Sequence, residues 1–306
     1  MSAGYLVKRL VYSVIVLLGT LVLVFVLVRL APGDPVIRAA GPYASLDEVN
    51  AMRTALGIDR PLYVQFGIYL RQVMTGDLGT SLRYHRPAAE LVMERLPATA
   101  KLALSSVVVA TLIAIPLGII AAVKRRSIVD LLAVTLSLLG QSLPTFWLGI
   151  VLIIVFAVRL RVLPTSGYGS WHNIVLPMTT LVLYVLGLVT RLTRSSMIEV
   201  LGADYMRVAT AKGLSRRTVL LKHGLRNALI PIVTVVGLQT GTLLGGAVMV
   251  ETVFAWPGIG SLAIDSITTG DYAVAEAVVL LSGAVFVGIN LLLDVVYVLV
   301  DPRIKY

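Results

Sequence analysis

The sequence has no cysteine, only three histidines, and charge on just 14% of its 306 residues. Without thiols there are no disulfides and no thiolate metal sites, and the redox compartment stays open. His85, His172 and His223 lie far apart with no ligand spacing, so no metal site is expected. The phosphate-cradling pattern G-x-x-x-x-G-K-[ST] is missing, so any nucleotide motor has to be another chain. No selectivity-filter motif or charged pore ring points to a channel. No nucleophile–base pair or paired carboxylates stand at membrane depth, as an intramembrane hydrolase needs, so no catalytic residue is assigned.

Apolar residues are plentiful, at 58% with a mean hydropathy of +0.92. Residues 10–28, 102–123, 131–158, 162–190, 227–250 and 277–293 contain no Asp, Glu, Lys or Arg. A membrane helix takes about 20 mostly apolar residues. Five runs meet or nearly meet that length, and the sixth does so by extending past Asp294. A soluble helical core would show amphipathic stripes, whereas these runs are apolar on all faces. The chain is read as an all-α polytopic protein with six transmembrane helices in a lipid bilayer. The net charge of +10 gathers in short segments on one side, which is the positive-inside pattern and not a nucleic-acid footprint. The first run is too long for a signal-peptide core, so it is expected to stay as a span.

In order, residues 1–30 are expected to hold a cytoplasmic N-terminus, marked by Lys8 and Arg9, and helix 1. Residues 31–96 form an external segment with seven basic and seven acidic residues, and turn markers at Pro32-Gly33-Asp34-Pro35 and Gly41-Pro42. Ser45-Leu46-Asp47-Glu48 reads as a capping box for a helix to about Leu56, and residues 61–74 as another helix. Residues 97–300 carry helices 2–6, with an intracellular loop at about 195–230, and 301–306 form a cytoplasmic tail. Helix 2 is expected from about Pro97 to Val123, helix 3 from Asp130 to Arg159, helix 4 from Leu176 to Arg194, and helix 5 from Ile230 to Val250.

Helix 3 contains Gly140-Gln141-Ser142-Leu143-Pro144-Thr145-Phe146-Trp147 in its middle. Such residues at mid-membrane fit either a packed kink or a break lining a cavity. Gln141, Ser142, Pro144 and Trp147 are therefore the candidate pathway residues. Gly237, Gly241, Gly245 and Gly246 suggest a small-residue face for close helix packing. The loop 251–276 carries four acids and no base, and its 254–260 stretch suits a re-entrant or surface-hugging element. Asp294, inside the last span, is expected to pair with a neighbouring helix or snorkel, not to relay protons.

The densest signal is residues 203–231. Asp204 suits an N-cap for a helix over 205–212, and Gly213 suits its left-handed stop. Ser215 suits the cap of a second helix to Leu229, which Pro231 then breaks or bends. Arg207, Lys212, Arg216, Arg217, Lys222 and Arg226 face one acid, Asp204. A basic bracket between two spans is a handle for another protein. An ion-coupled secondary transporter remains the alternative, equipped with little beyond Asp294 and the Pro144 region.

Arg207-Val-Ala-Thr-Ala-Lys-Gly213-Leu followed by Arg226-Asn-Ala-Leu-Ile-Pro231 resembles the cytoplasmic "EAA" loop of binding-protein-dependent ABC transporter permeases. It resembles most the dipeptide/oligopeptide/nickel family, although the loop's initial glutamate is missing. Leu30-Ala-Pro-Gly-Asp-Pro35, Gly57-Ile-Asp-Arg-Pro61, Gly76-Asp-Leu-Gly-Thr-Ser81, Arg95-Leu-Pro-Ala-Thr99 and Glu251-Thr-Val-Phe-Ala-Trp-Pro-Gly-Ile-Gly260 agree, in order along nearly the whole chain. The long segment after helix 1 resembles the first, B-type permease of a non-identical pair.

The resemblance implies a type I ABC importer permease in the cell inner membrane, with both termini inside. It implies a homologous second permease, two ATP-binding subunits or domains carrying ATP and Mg, and an external substrate-binding protein. No cofactor is implied on this chain. The cargo implied is short peptides, with nickel, unusual sugars or glutathione-like molecules as alternatives. The ATPase-coupling residues implied are Asp204, Tyr205, Ala209, Ala211, Lys212, Gly213, Leu214 and Pro231.

Overall fold

The computed structural model describes residues 3–30, 36–37, 44–55 and 57–300. The turn markers at 32–35 and 41–42, most of the 30–35 motif and the tail 301–306 lie outside them. The described residues are helical almost throughout. Five helices are long and apolar enough to cross a membrane, and a bent helix pair makes a sixth crossing if it counts as one span.

Helix α1 (Ala3–Leu30) leads into two short helices, α2 (Leu46–Ala55) and α3 (Leu62–Met74). The capping box at α2 is reciprocal: the Glu48 amide donates to Ser45 Oγ at 3.3 Å, and the Ser45 amide donates to the Glu48 carboxylate at 2.8 Å. Hydrogen bonding from the Ser45 backbone and then its side chain holds the Glu48 carboxyl below its usual range. Helix α3 is pinned to α1 through Tyr69 stacked on Phe25, with ring centroids 5.7 Å apart.

Helix α4 (Ala88–Val123) starts nine residues before the expected Pro97. Pro87 occupies the position before its first turn, and Ala88, Leu91 and Val92 bury against Ile259, Leu262, Val274 and Val278. Burying several side chains at about 1.5–3 kcal/mol each outweighs the one hydrogen bond lost at Pro97. The expected third span is two helices, α5 (Ile128–Ser142) and α6 (Thr145–Leu152), bent by 99° at Leu143-Pro144. A π-helical segment, Ile153–Arg159, follows α6.

Helix α7 (Trp171–Gly202) runs longer than expected at both ends. A Ser170–Asn173 capping box starts it, five residues before the expected Leu176. Helices α5 and α7 approach closely where side chains are missing. A Cβ on Gly140 would stand 2.8 Å from the Leu183 carbonyl, and one on Gly187 would strike the Ser137 carbonyl.

Helices α8 (Asp204–Ala211), α9 (Arg216–Thr218) and α10 (Arg226–Leu244) follow, with a π-helical segment, Val219–Leu225, between the last two. The expected fifth span stops at Leu244 and not Val250, because Gly246 takes φ +115° and turns the chain. Gly237 and Gly241 do pack closely, against Leu293 and Phe286, whereas Gly245 and Gly246 end the helix. Helices α11 (Val248–Val253) and α12 (Ile259–Thr269) then lead to α13 (Tyr272–Val300). Asp294 in α13 accepts a hydrogen bond from Arg9 in α1 at 2.6 Å, the pairing its position suggests. One core joins α4, α7 and α10 with Phe254 and Trp256.

Candidate functional site

The bracket at 203–231 differs from its expected form in detail. Ala203, in extended conformation directly after α7, takes the cap position, so Asp204 is the first residue of α8. Asp204 meets Arg207 at 3.4 Å as an exposed ion pair and makes no cap hydrogen bond. With Gly202 still helical, no loop is left for Asp204 to cap. Helix α8 ends at Ala211, Lys212 follows, and Gly213 takes φ +75°. A Cβ at Gly213 would meet nothing within 4 Å, so its backbone conformation and not crowding calls for glycine. Ser215 accepts a hydrogen bond from the Thr218 amide at 3.3 Å, capping the second helix as its sequence suggests.

That second helix does not break at Pro231. It runs from Arg216 to Leu244 as one apolar-length helix. The π-helical segment 219–225 lies just upstream, where the register is already loosened, and Pro231 rides inside α10. Met206 and Ala209 of α8 are buried against Val219, Val200 and Leu201. Ala209 therefore faces this chain's own helices, not a partner. Tyr205, Val208 and Leu214 are 45%, 53% and 40% exposed, beside exposed Ala211 and Lys212. The element is seated by one face and offers an apolar strip on the other.

The break between α5 and α6 opens on a cavity of about 520 Å³. Gln141, Ser142 and Pro144 line it, facing Leu181 and Tyr184 of α7 and the 246–250 backbone turn. Trp147 is 47% exposed and not among the lining residues. Leu143 is extended, as a residue before proline prefers, which makes the corner. Gln141 Oε1 accepts a hydrogen bond from Arg191 of α7 at 2.5 Å. One turn further along α7, Arg194 forms a bidentate ion pair with Asp130 at the start of α5.

The opposite wall depends on residues that the sequence reading leaves in a loop. Glu251 is fully buried, and its carboxylate accepts hydrogen bonds from Thr99 Oγ1 at 2.7 Å and the Ser261 amide at 2.9 Å. Burial pushes this carboxyl above its ordinary range, against the opposing pull of those hydrogen bonds. Trp256, also buried, donates its indole N–H to the Ala98 carbonyl at 2.9 Å. The 254–260 stretch is thus mostly core and not surface-hugging. The 95–99 and 251–260 motifs, distant in sequence, form one joint. Likewise the hydroxyl of Ser81, from the 76–81 motif, donates to Asp271.

Residues 114–306 match the family model described as "Binding-protein-dependent transport system inner membrane component". Residues 2–103 match "Binding-prot-dependent transport system membrane comp, N-term". Relatives agree along the whole chain. The "Glutathione transport system permease protein GsiC" of Salmonella typhimurium strain LT2 is 47% identical over 303 residues, covering 99% of each chain. The protein of the same name from Escherichia coli strain K12 is 45% identical over the same span.

The chain belongs to the binding-protein-dependent ABC transport permeases. This permease is a multi-pass protein of the inner membrane and a transport subunit, not an enzyme. Two solved structures share the fold. An inward-facing MetNI methionine ABC transporter chain has a TM-score of 0.55 at 17% identity, covering 69% of the permease and 96% of that chain. A chain of an amino acid ABC transporter crystallised with histidines gives 0.52 at 15% identity, covering 68% and 92%. Both likenesses are of fold alone.

Sequence reasoning misses Glu251 and Tyr184 as parts of the cavity's surroundings. Glu251 sits next to an apolar helix in a turn-rich, acidic stretch, which reads as a loop. Only its burial shows otherwise.

Proposed function

We propose that this permease pairs with a homologous second permease to form the path for short peptides, glutathione-type tripeptides among them. An external binding protein delivers the cargo, and two ATP-binding subunits, carrying ATP and Mg, dock beneath the pair, one of them on α8. The observation that carries the reading is the two-sided seating of α8. Met206 and Ala209 anchor it to the helices on either side, while Tyr205, Val208 and Leu214 stand exposed in a strongly basic segment. An exposed apolar strip at the polar end of a membrane protein marks a protein contact.

Movement of α8 reaches α7 directly and α10 through the π-helical segment, because α8 packs on both. ATP drives opening only insofar as it binds the two states of the assembly differently. Asp204, Tyr205, Ala211, Lys212, Gly213 and Leu214 belong to the docking surface or its hinge. Ala209 seats the element, and Pro231 marks the start of the driven span. The relatives' naming for glutathione transport supports a peptide cargo.

The test is copurification followed by reconstitution. Tagged permease is expected to recover a second permease and a nucleotide-binding chain, and the assembly with its binding protein to accumulate peptide only with ATP. Accumulation on an ion gradient by the lone chain, without nucleotide, overturns the reading.

A further inference from the structure

Three partly buried arginines in this fold meet a carboxylate. Arg9 pairs with Asp294 and Arg29 with Glu276, each at 2.6 Å, and Arg194 pairs with Asp130. Arg191 differs. It lies within the α7 span, and its hydrogen-bond partner among the described residues is the neutral amide oxygen of Gln141. Its Nε is buried with no hydrogen-bond partner among the described residues. A guanidinium in a span, held by an amide and not neutralised by an acid, is costly unless something anionic visits it.

The visitor's route is the cavity at the helix break. Gln141, which holds Arg191, lines that cavity. Tyr184 lines it too and lies seven residues before Arg191, on the same face of α7. Arg191 therefore stands about two helical turns beyond Tyr184 on that face. Gln141 stands between the guanidinium and a space lined by apolar, amide, hydroxyl or backbone groups. The planar fork of a guanidinium matches a carboxylate in two-point fashion, and the amide of Gln141 orients the fork.

We propose that Arg191, positioned by Gln141, is the anion-reading site of the translocation cavity and engages a carboxylate of the passing solute. The inference deepens the peptide reading above and rests on it for the cargo: any peptide with a free C-terminus carries the required group. Asp130 stays with Arg194 and does not compete for Arg191. Electrostatic attraction in a low-dielectric cleft raises the local concentration of the matching ion.

The test does not depend on knowing the cargo. The chain has no cysteine, so Ser142→Cys gives a single thiol at the cavity lining. In the assembled transporter, this thiol is reacted with an anionic sulfonatoethyl or a cationic trimethylammonioethyl methanethiosulfonate, and labelling of this chain is read by mass. Replacing Arg191 with Gln is expected to lower the anionic-to-cationic rate ratio by about fivefold or more, and Arg191→Lys to keep most of it. A ratio that Arg191→Gln leaves within about twofold of the parent overturns the proposal.

A second arm compares ATP-driven uptake of dialanine by the parent and by Arg191→Cys, before and after each reagent. Uptake lost in Arg191→Cys and regained with the cationic adduct, but not with a neutral methyl adduct, supports a charge-reading role. Equal recovery with both adducts reduces Arg191 to a space-filling group and overturns it. If the parent carries no peptide while the labelling ratio still depends on Arg191, the peptide assignment fails and the anion site stands.

Discussion

Thr99 and Glu251 lock the amino-terminal half of α4 to the 247–261 turn. The Thr99 hydroxyl donates to the Glu251 carboxylate at 2.7 Å, and the Ile259 amide donates to Thr99 Oγ1 at 2.9 Å. One threonine thus serves both sides of the joint, and the carboxylate's second oxygen takes the Ser261 amide. The same turn supplies the 246–250 wall of the cavity, so a buried acid outside the membrane spans sets the cavity's shape.

Removing that acid is costly. Glu251→Ala leaves the Thr99 hydroxyl and the Ser261 amide without their acceptor in a dry site, at about 1–3 kcal/mol per lost partner. The purified protein in detergent is expected to aggregate at a clearly lower temperature when followed by size exclusion after heating. An unchanged midpoint would show that the joint does not hold the turn.

Gly260 and Gly19 separate crowding from helix propensity. A Cβ at Gly260 would stand 2.8 Å from Val248 Cα and from Glu251 Oε2, so Gly260→Ala is expected to cost about 1–3 kcal/mol. Gly19 in α1 has nothing within 4 Å of its position, and Gly19→Ala is expected to be neutral or to gain up to about 1 kcal/mol. The same heating assay ranks them, and a reversed order contradicts the packing described here.

Asp130 and Arg194 are expected to be coupled. Asp130→Asn leaves a partly buried guanidinium facing an amide and withdraws the charge accepting the Arg126 amide, at about 3 kcal/mol. Arg194→Met in the same chain should recover part of that loss. Strict additivity in this double-mutant cycle would show that the pair contributes nothing as a pair.

Gly213→Asp keeps the α8 sequence but puts a side chain at φ +75°. We expect membrane assembly to persist while substrate-stimulated ATP hydrolysis no longer drives uptake. Normal uptake by this variant removes the coupling role assigned to the element.

Sidedness is checked by thiol labelling against the cysteine-free background. Arg216→Cys and Lys222→Cys are expected to be shielded from an impermeant external reagent in intact cells, and Asp77→Cys to react. The opposite pattern inverts the topology.

Much of the fold can be read from local chemistry. Charge-free runs of about the length a bilayer needs mark the spans, and the reciprocal Ser45–Glu48 box starts its helix where the residues say it should. Gly213 ends α8 in the left-handed conformation that the sequence pattern suggests. Boundaries that depend on burial are misread. Pro97 looks like a helix start but lies inside α4, and Pro231 looks like a break but lies inside α10. In each case neighbouring helices bury enough apolar surface to carry the helix across the proline. Asp204 looks like a cap, yet α7 runs so far that Ala203 takes that position.

Of the candidate pathway residues, Gln141, Ser142 and Pro144 line the cavity, while Trp147 does not. Proline and amide chemistry announce a break, but which way each side chain turns afterwards depends on the 99° bend and the packing of α7.

By itself the sequence determined that this chain lives in a bilayer, which segments cross it and where the basic element lies. Those properties follow from solvation and backbone stereochemistry acting over a few neighbouring residues. The tertiary structure alone decided that Glu251 is buried, that Arg191 answers to Gln141 and, among the described residues, to no acid, and that Ala209 faces inward. Each of these depends on which distant helix arrives at the same place, and no local pattern in the chain records that meeting.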